Sequence, residues 1–216
     1  MSLKNVFKQS SIANAYDAYY QTEQGLVIDR IEKKLIGELL NKTIPGDKLL
    51  ELGCGTGHWT RFFKNHGFEV TGIDNSDAML SVAQRKNLNC IKADAENLPF
   101  DNHSFPVVAS ITMLEFVDNP GKVFDEIYRI LKPDGYLILG CLNRDSVLGQ
   151  TKNNSDTFRH ADFFTKTDLK QYLTRFGNPQ FYEDVYMNND FSLVLKPKPK
   201  EQIQPVFIAA IVQKTR

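Results

Sequence analysis

Short runs of apolar residues alternate along the chain with longer stretches in which apolar residues recur at helical spacing. Five of these runs have the length of a β-strand, and they lie at residues 48–52, 68–73, 88–93, 105–111 and 136–141. Strands that alternate with helices of about 10–15 residues form crossover units around a parallel sheet. The pattern therefore predicts an α/β fold with a doubly wound, mostly parallel sheet.

The remaining segments complete this prediction. Helical spacing before the first strand indicates an N-terminal helical cap over residues 1–44, and a polar stretch at 143–164 indicates an insert that forms a lid. The apolar runs 191–195 and 205–212 leave no room for a helix between them, so we expect a C-terminal antiparallel hairpin. The whole chain, residues 1–216, is predicted to be one domain with a seven-stranded sheet.

Composition narrows the classes of function. Lys and Arg number 26 and so do Asp and Glu, which disfavours binding dominated by nucleic-acid phosphates. No apolar run approaches the ~20 residues of a membrane span, and no apolar signal sequence opens the chain, so a cytoplasmic location is expected. The three cysteines form no metal-binding pattern, and no metal site is expected.

A glycine-rich turn carries the first chemical signal. Residues 49–52 (Leu-Leu-Glu-Leu) read as a strand, and Gly53, Gly55 and Gly57 follow at alternate positions directly before a helix. Glycines allow a tight turn and let a ligand lie against the backbone, at the strand end where open α/β sheets bind their ligands. Alone, this turn is also compatible with a strand–helix connection that binds nothing.

A second signal identifies the ligand class. Asp74 ends the second strand 21 positions after Gly53, the distance expected for a carboxylate that receives ribose hydroxyls. The loop lacks the G-x-G-x-x-G spacing of dinucleotide sites, which disfavours a nicotinamide dehydrogenase. Glu51 beside the loop suits an ammonium group better than a pyrophosphate. A ligand with ribose, adenine, an amine and a carboxylate fits this set, and S-adenosylmethionine is such a ligand.

At this point the chain resembles the class I S-adenosylmethionine-dependent methyltransferases, and in particular the small-molecule group that includes the quinone-biosynthesis methyltransferases. Four motifs in order carry the resemblance, at residues 51–57, 72–76, 93–100 and 130–136. The resemblance implies a Rossmann-like fold, S-adenosylmethionine as cofactor and methyl transfer to a small molecule.

The resemblance also implies which residues bind the cofactor. Glu51 and the glycines would hold the methionine part, Asp74 the ribose, and Asp94 with Ala95 the adenine. The tyrosines of the first helix would form an aromatic lid. The full set of expected cofactor-binding residues is Glu51, Gly53, Cys54, Gly55, Gly57, Asp74, Asn75, Ser76, Met79, Asp94, Ala95, Glu96, Met113, Tyr16 and Tyr20.

A general base is needed only if the acceptor holds its proton near neutral pH. The candidates for a catalytic role are His160, Glu115 and Tyr16, with His58 and His103 as weaker ones. Relatives often carry histidines where this chain has Glu115, so no base is transferred from that position.

The sequence therefore predicts a cytoplasmic methyltransferase, a monomer or a homodimer, that acts by in-line displacement on a small, partly apolar organic acceptor. Two alternatives stay open: a different group transfer from the same cofactor, and a regulatory or non-catalytic protein that binds S-adenosylmethionine.

Overall fold

Helices and strands alternate along the structure, a computed structural model that describes residues 6–44, 46–195, 197 and 203–215. The helices are α1 (Ser10–Tyr19), α2 (Glu23–Leu40), α3 (His58–Asn65), α4 (Asp77–Arg85), α5 (Pro120–Ile130), α6 (Val147–Thr151) and α7 (Lys166–Leu173). The strands are β1 (Lys48–Leu52), β2 (Glu69–Asp74), β3 (Cys90–Lys92), β4 (Phe105–Ile111), β5 (Leu131–Leu142), β6 (Gln180–Met187), β7 (Leu193–Val194) and β8 (Pro205–Gln213).

All eight strands join one sheet in the order β3-β2-β1-β4-β5-β8-β6-β7. The first five strands run parallel, which confirms the predicted α/β class. The chain order reverses between β1 and β4, which are direct neighbours in the sheet. Connections leave such a point in opposite directions and open a crevice at the carboxyl ends of the strands.

The C-terminal part of the sheet is antiparallel, as predicted, but its pairing differs from the expected hairpin. Strand β8 pairs with β5 and β6, whereas the short β7 pairs with β6 alone. Eight of the nine residues of β8 are buried, so this strand needs a neighbour on each side. The missing neighbour is β6, whose mixed polar and apolar residues hid it in the sequence, and it raises the number of strands in the described part of the chain to eight.

Two hydrophobic layers cover the two faces of the sheet because successive side chains of a strand point to opposite sides. Val107 and Phe207 pack in the layer that contains α2 and α3. Val108 and Ile208, their direct neighbours in the chain, pack in the layer that contains α5 and α7. The two layers enclose the sheet, and the candidate site lies at the carboxyl ends of β1, β2 and β4.

Local sequence signals explain several boundaries. The side chain of Asn119 accepts a hydrogen bond from the Lys122 amide at 3.1 Å and begins α5, as predicted. Such a cap contributes about 1 kcal/mol. Pro106 lies where the register of β4 shifts between Phe105 and Val107, so its missing N–H removes no regular ladder bond.

Among the described helices, none combines the length and apolar composition that a membrane crossing requires.

Candidate active site

The glycine turn after β1 has the left-handed backbone that its sequence predicts. Gly53, Gly55 and Gly57 have φ angles of 73°, 52° and 82°, a region that residues with a β-carbon rarely adopt. The amides of Gly53 and Cys54 both donate to the Ile73 carbonyl at 2.8 Å, which ties the turn to β2. Gly57 is the N-cap of α3, so the turn leads directly into the helix.

The three glycines differ in what surrounds them. A β-carbon on Gly53 would lie 2.2 Å from Cγ of Met113, and one on Gly57 would lie 2.2 Å from Cδ1 of Leu88. These two glycines are therefore required by close packing. A β-carbon on Gly55 would meet no atom within 4 Å, and Gly55 lines a cavity. Gly55 thus both lines the cavity and leaves open the space that a β-carbon would fill.

Asp74 lines the same cavity next to Gly55, at the end of β2. Its Oδ2 accepts a hydrogen bond from the Gly55 amide at 2.9 Å and its Oδ1 accepts one from the Ser76 amide at 2.8 Å. Burial raises the pKa of Asp74, and the two amide donors oppose that shift. The carboxylate is thus fixed beside the glycine turn, where hydroxyl groups of a ligand can reach it.

The cavity, together with the solvent-filled space at its mouth, has a volume of about 830 Å³. Ten of the residues predicted to bind the cofactor line it. They are Tyr16, Tyr20, Gly53, Gly55, Asp74, Asn75, Met79, Asp94, Ala95 and Met113. Sequence reasoning therefore located the cavity and most of its polar wall.

Glu51 does not reach the cavity, in contrast to the predicted contact with an ammonium group. Its side chain lies below the turn, 2% exposed, and Oε2 accepts a hydrogen bond from Thr60 Oγ1 at 2.5 Å. Burial raises the pKa of Glu51 to about 8. The short contact to Thr60 makes Glu51 a link between β1 and α3, because the side chain points under the helix.

Four other predicted residues also lie outside the cavity wall, each engaged elsewhere. Cys54 is buried next to Gly72, and Gly57 packs on Leu88. Ser76 caps α4 by accepting a hydrogen bond from the Met79 amide, and its hydroxyl donates to the carbonyl of Phe7. Glu96 accepts a hydrogen bond from the Asn119 amide at 2.8 Å. These residues support the walls of the cavity without forming its surface.

The N-terminal segment covers the cavity with aromatic rings. Phe7 makes edge-to-face contacts with Tyr16 and Phe116, at centroid distances of 5.8 and 4.9 Å. The hydroxyls of Tyr16 and Tyr20 lie 3.3 Å apart, and burial raises the pKa of both phenols. Tyr19 points outward and is 47% exposed. The covering side of the cavity is therefore aromatic, whereas the side at Asp74 is polar.

Polar contacts hold this cover on the glycine turn. Asp17 of α1 accepts a hydrogen bond from the Thr56 hydroxyl at 2.6 Å and pairs with Lys86 at 2.5 Å. Lys86 also donates to the Thr56 carbonyl at 2.8 Å, which closes a three-residue cluster. Hydrogen bonds to these partners lower the pKa of Asp17 although burial opposes them. Residues 1–5 of the predicted cap lie outside the described part of the chain.

The predicted catalytic residues differ in whether they line the cavity. Tyr16 lines the cavity, but His160 is exposed on the insert and lies outside the cavity wall. Glu115 is fully buried, and its Oε1 accepts a hydrogen bond from the Leu142 amide at 2.6 Å. Its other oxygen has no hydrogen-bond partner among the described residues. Neither His160 nor Glu115 lines the cavity, and a catalytic role for either stays a prediction.

The insert at 143–164 also differs from the expected lid. None of its residues lines the cavity. Phe158 packs between Phe116 and Phe163, and Asn143 donates from its side chain to the Pro205 carbonyl at 2.8 Å. The insert therefore supports Phe116 from the side away from the cavity. The aromatic cover comes from the N-terminal segment instead.

Several cavity residues escaped the sequence analysis because they come from elements that only tertiary packing brings together. They are Phe7, Trp59, Thr112, Phe116, Val117 and, as a residue considered only weakly, His58. The sequence did indicate that His58 and Trp59 lie near the site, because both are at the start of the helix that follows the glycine turn.

The buried position of Glu115 leads to a pH prediction. Burial raises its pKa from 4.5 to about 7, so the folded protein binds a proton that the unfolded chain has already lost. As the pH rises from about 4.5 to about 7, this residue therefore lowers the free energy of unfolding by about 1.4 kcal/mol per pH unit. Glu115→Gln keeps the acceptor for Leu142, and we expect it to be about 3 kcal/mol more stable than the parent near pH 8.

Chemical unfolding at about pH 5 and about pH 8 measures this effect. We expect a small difference in the free energy of unfolding between Glu115→Gln and the parent at the lower pH and a large one at the higher pH. The same difference at both values would contradict this expectation, because a non-ionising effect of the amide would then be responsible.

Comparison with known proteins identifies the family. The sequence profile of a family described as "Methyltransferase domain" matches residues 50–139. An uncharacterized protein of Methanocaldococcus jannaschii is 32% identical over 177 residues, 80% of each chain. The ubiquinone biosynthesis O-methyltransferase of Coxiella burnetii is 31% identical over 109 residues, which span 48% of this chain and 47% of that enzyme.

A solved structure extends the comparison to nearly the whole chain. It is a SAM-dependent methyltransferase of Thermotoga maritima, described as a "possible histamine N-methyltransferase". It is 25% identical, with a TM-score of 0.74, over 95% of this chain and 98% of that one. The glycine turn, Asp74 and the aromatic cover thus lie in a fold that a methyltransferase shares, and this chain belongs to the class I S-adenosylmethionine-dependent methyltransferase family.

Proposed function

We propose that the protein transfers a methyl group from S-adenosylmethionine to a small, partly apolar organic acceptor, by in-line displacement in the cavity beneath the N-terminal cover. One observation carries the proposal. The open face of Gly55, the carboxylate of Asp74 and the aromatic cover all border the same cavity.

The donor side of the cavity fits the cofactor that the family uses. Gly55 leaves room for a ligand against the backbone, and Asp74 offers carboxylate oxygens to ribose hydroxyls. Asp94 and Ala95 lie further along the wall, where the family holds adenine. S-adenosylmethionine supplies an activated methyl group on a positively charged sulfur. Aromatic faces such as those of Tyr16 and Tyr20 are compatible with that charge.

The remaining wall indicates the class of acceptor. Trp59, Phe116 and Val117 make it largely apolar, and no Lys or Arg is among the described residues that line it. A strongly anionic acceptor would therefore lack a charged partner there. A small molecule with an apolar body suits this wall, and the balanced charge of the chain supports an acceptor that is not a nucleic acid.

Positioning is the main task of these residues in the proposed reaction. Because the donor is already activated, rate enhancement comes largely from holding the two reactants in line and apart from water. Phe7 and Tyr16 close the cavity from above, and Asp17 fixes α1, the helix that carries Tyr16, to the turn at Thr56. The cytoplasmic location and the monomeric or dimeric state stay predictions.

A labelling experiment tests the proposal. The protein is incubated with [methyl-³H]S-adenosylmethionine and a cell extract that has been separated into small molecules, nucleic acids and proteins. We expect the label to appear in the small-molecule fraction and to partition in part into an organic solvent. Label in nucleic acid or protein would contradict the proposed acceptor class. Binding of the cofactor without any transfer would favour the regulatory alternative.

A further inference from the structure

A histidine–aspartate pair borders the cavity and has no part in the site described so far. Nε2 of His58 lies 2.7 Å from Oδ1 of Asp29, and the two side chains are 20% and 15% exposed. The His58 ring stacks on Tyr20 with a centroid distance of 3.6 Å and an interplanar angle of 6°. His58 and Tyr20 both line the cavity. The stack on Tyr20 thus fixes the plane of the imidazole ring, and the contact with Asp29 fixes the rotation of the ring within that plane.

Asp29 is itself fixed and ionised. Its second oxygen, Oδ2, pairs with Lys33 one turn further along α2 at 2.8 Å. The hydrogen bonds from His58 and Lys33 lower the pKa of Asp29 although burial opposes them. An ionised carboxylate only accepts hydrogen bonds, so Nε2 of His58 must carry the hydrogen of the shared bond. In the neutral ring the lone pair then lies on Nδ1.

Two carboxylates lie near the His58 ring. Asp29 of α2 is hydrogen-bonded to it, and Asp17 of α1 interacts with it electrostatically, while each carboxylate also pairs with a lysine, Lys33 and Lys86 respectively. A bonded carboxylate can pair with the imidazolium that forms when a histidine accepts a proton, and it would repel the carboxylate end of the donor. A basic role for His58 is therefore favoured over a role in holding that carboxylate.

We propose that His58 is the general base of the methyl transfer and that Asp29 is the residue that positions it. The inference rests on the proposed function and adds a property of the acceptor: its nucleophilic atom carries a proton that must leave at neutral pH, as in a phenol or an enol.

The step balances in atoms and charge. The acceptor atom forms its bond to the methyl carbon with its own electron pair, and the electrons of the broken sulfur–carbon bond stay on sulfur. The proton of the acceptor passes to Nδ1 of His58, and the electrons of its bond stay on the acceptor atom. The resulting imidazolium is paired with Asp29 until it returns its proton to water.

The labelling assay with the small-molecule extract tests this role. We expect His58→Gln to lose about 100-fold of the label transfer, the usual contribution of a positioned base. The affinity for S-adenosylhomocysteine, measured by calorimetry, should change by less than about threefold, since the donor does not depend on the base. Asp29→Asn should lose about tenfold or more because its amide no longer enforces the tautomer. His66→Gln, at the opposite and exposed end of α3, is the matched control and should match the parent.

A rescue measurement separates a chemical role from a structural one. Added imidazole should restore part of the transfer by His58→Ala and should not accelerate the parent protein. Unchanged transfer by His58→Gln, an equal loss of transfer and of S-adenosylhomocysteine affinity, or failure of imidazole to rescue would each overturn the assignment of the base. A parent protein that binds S-adenosylhomocysteine but labels nothing would instead overturn the proposed function, and this inference with it.

Discussion

Gly55→Ala will weaken the binding of S-adenosylmethionine by about 100-fold, although the added methyl group touches no atom of the protein. The β-carbon of alanine would meet nothing within 4 Å because it projects into the cavity. The methyl group would therefore occupy the space in which a ligand lies against the backbone of the turn. The φ angle of 52° adds a strain of roughly 1–2 kcal/mol, which lowers the free energy of unfolding.

Gly46→Ala is the matched control for this prediction. Gly46 also has a positive φ angle, 93°, and a β-carbon there would also meet nothing within 4 Å. It precedes β1 and does not line the cavity. Both variants should lose similar stability in chemical unfolding, and only Gly55→Ala should lose affinity in calorimetry. Equal affinities of the two variants would contradict the placement of the donor against Gly55.

Asp74→Ala is expected to have a similarly large effect on the affinity for S-adenosylmethionine. Hydrogen bonds to a charged group contribute about 1.5–3 kcal/mol each, and two ribose hydroxyls can reach this carboxylate. Loss of about 3 kcal/mol corresponds to roughly 100-fold in the dissociation constant. The variant also removes the acceptor for the amides of Gly55 and Ser76, which loosens the turn itself.

Asp77→Ala controls for the loss of a carboxylate near the same strand end. Asp77 lies three residues further on, is exposed and pairs with Lys92 at the surface. Its replacement should leave the affinity unchanged in the same calorimetric titration. An affinity of Asp74→Ala equal to that of the parent would show that the ribose is not held at Asp74.

Much of the fold follows from local signals in the sequence. Strand β1 is an apolar run that ends in glycines, and α5 has both a cap at Asn119 and a proline at its first position. Each of these features is decided by neighbouring residues. The predicted positions of Asp74 and Gly55 at adjacent strand ends also follow, since β1 and β2 are parallel neighbours.

Other features depend on contacts between distant residues. Strand β6 has too mixed a polarity to be recognised, and only the buried position of β8 requires it. The motif around Glu51 does not reveal on which side of the turn its side chain lies, and the structure shows it under α3 beside Thr60. The pair of His58 and Asp29 joins residues 29 positions apart on two helices, so no spacing rule indicates it.

The melting temperature with different nucleoside ligands shows whether the cavity between the glycine turn and the N-terminal cover binds S-adenosylmethionine. At a hundredfold excess over its dissociation constant, a ligand of the native state adds about 2.7 kcal/mol, or roughly 5–10 °C for a chain of this size. We expect a shift of that order with S-adenosylmethionine and S-adenosylhomocysteine and none with NAD. A shift with NAD and none with the two sulfur nucleosides would contradict this expectation.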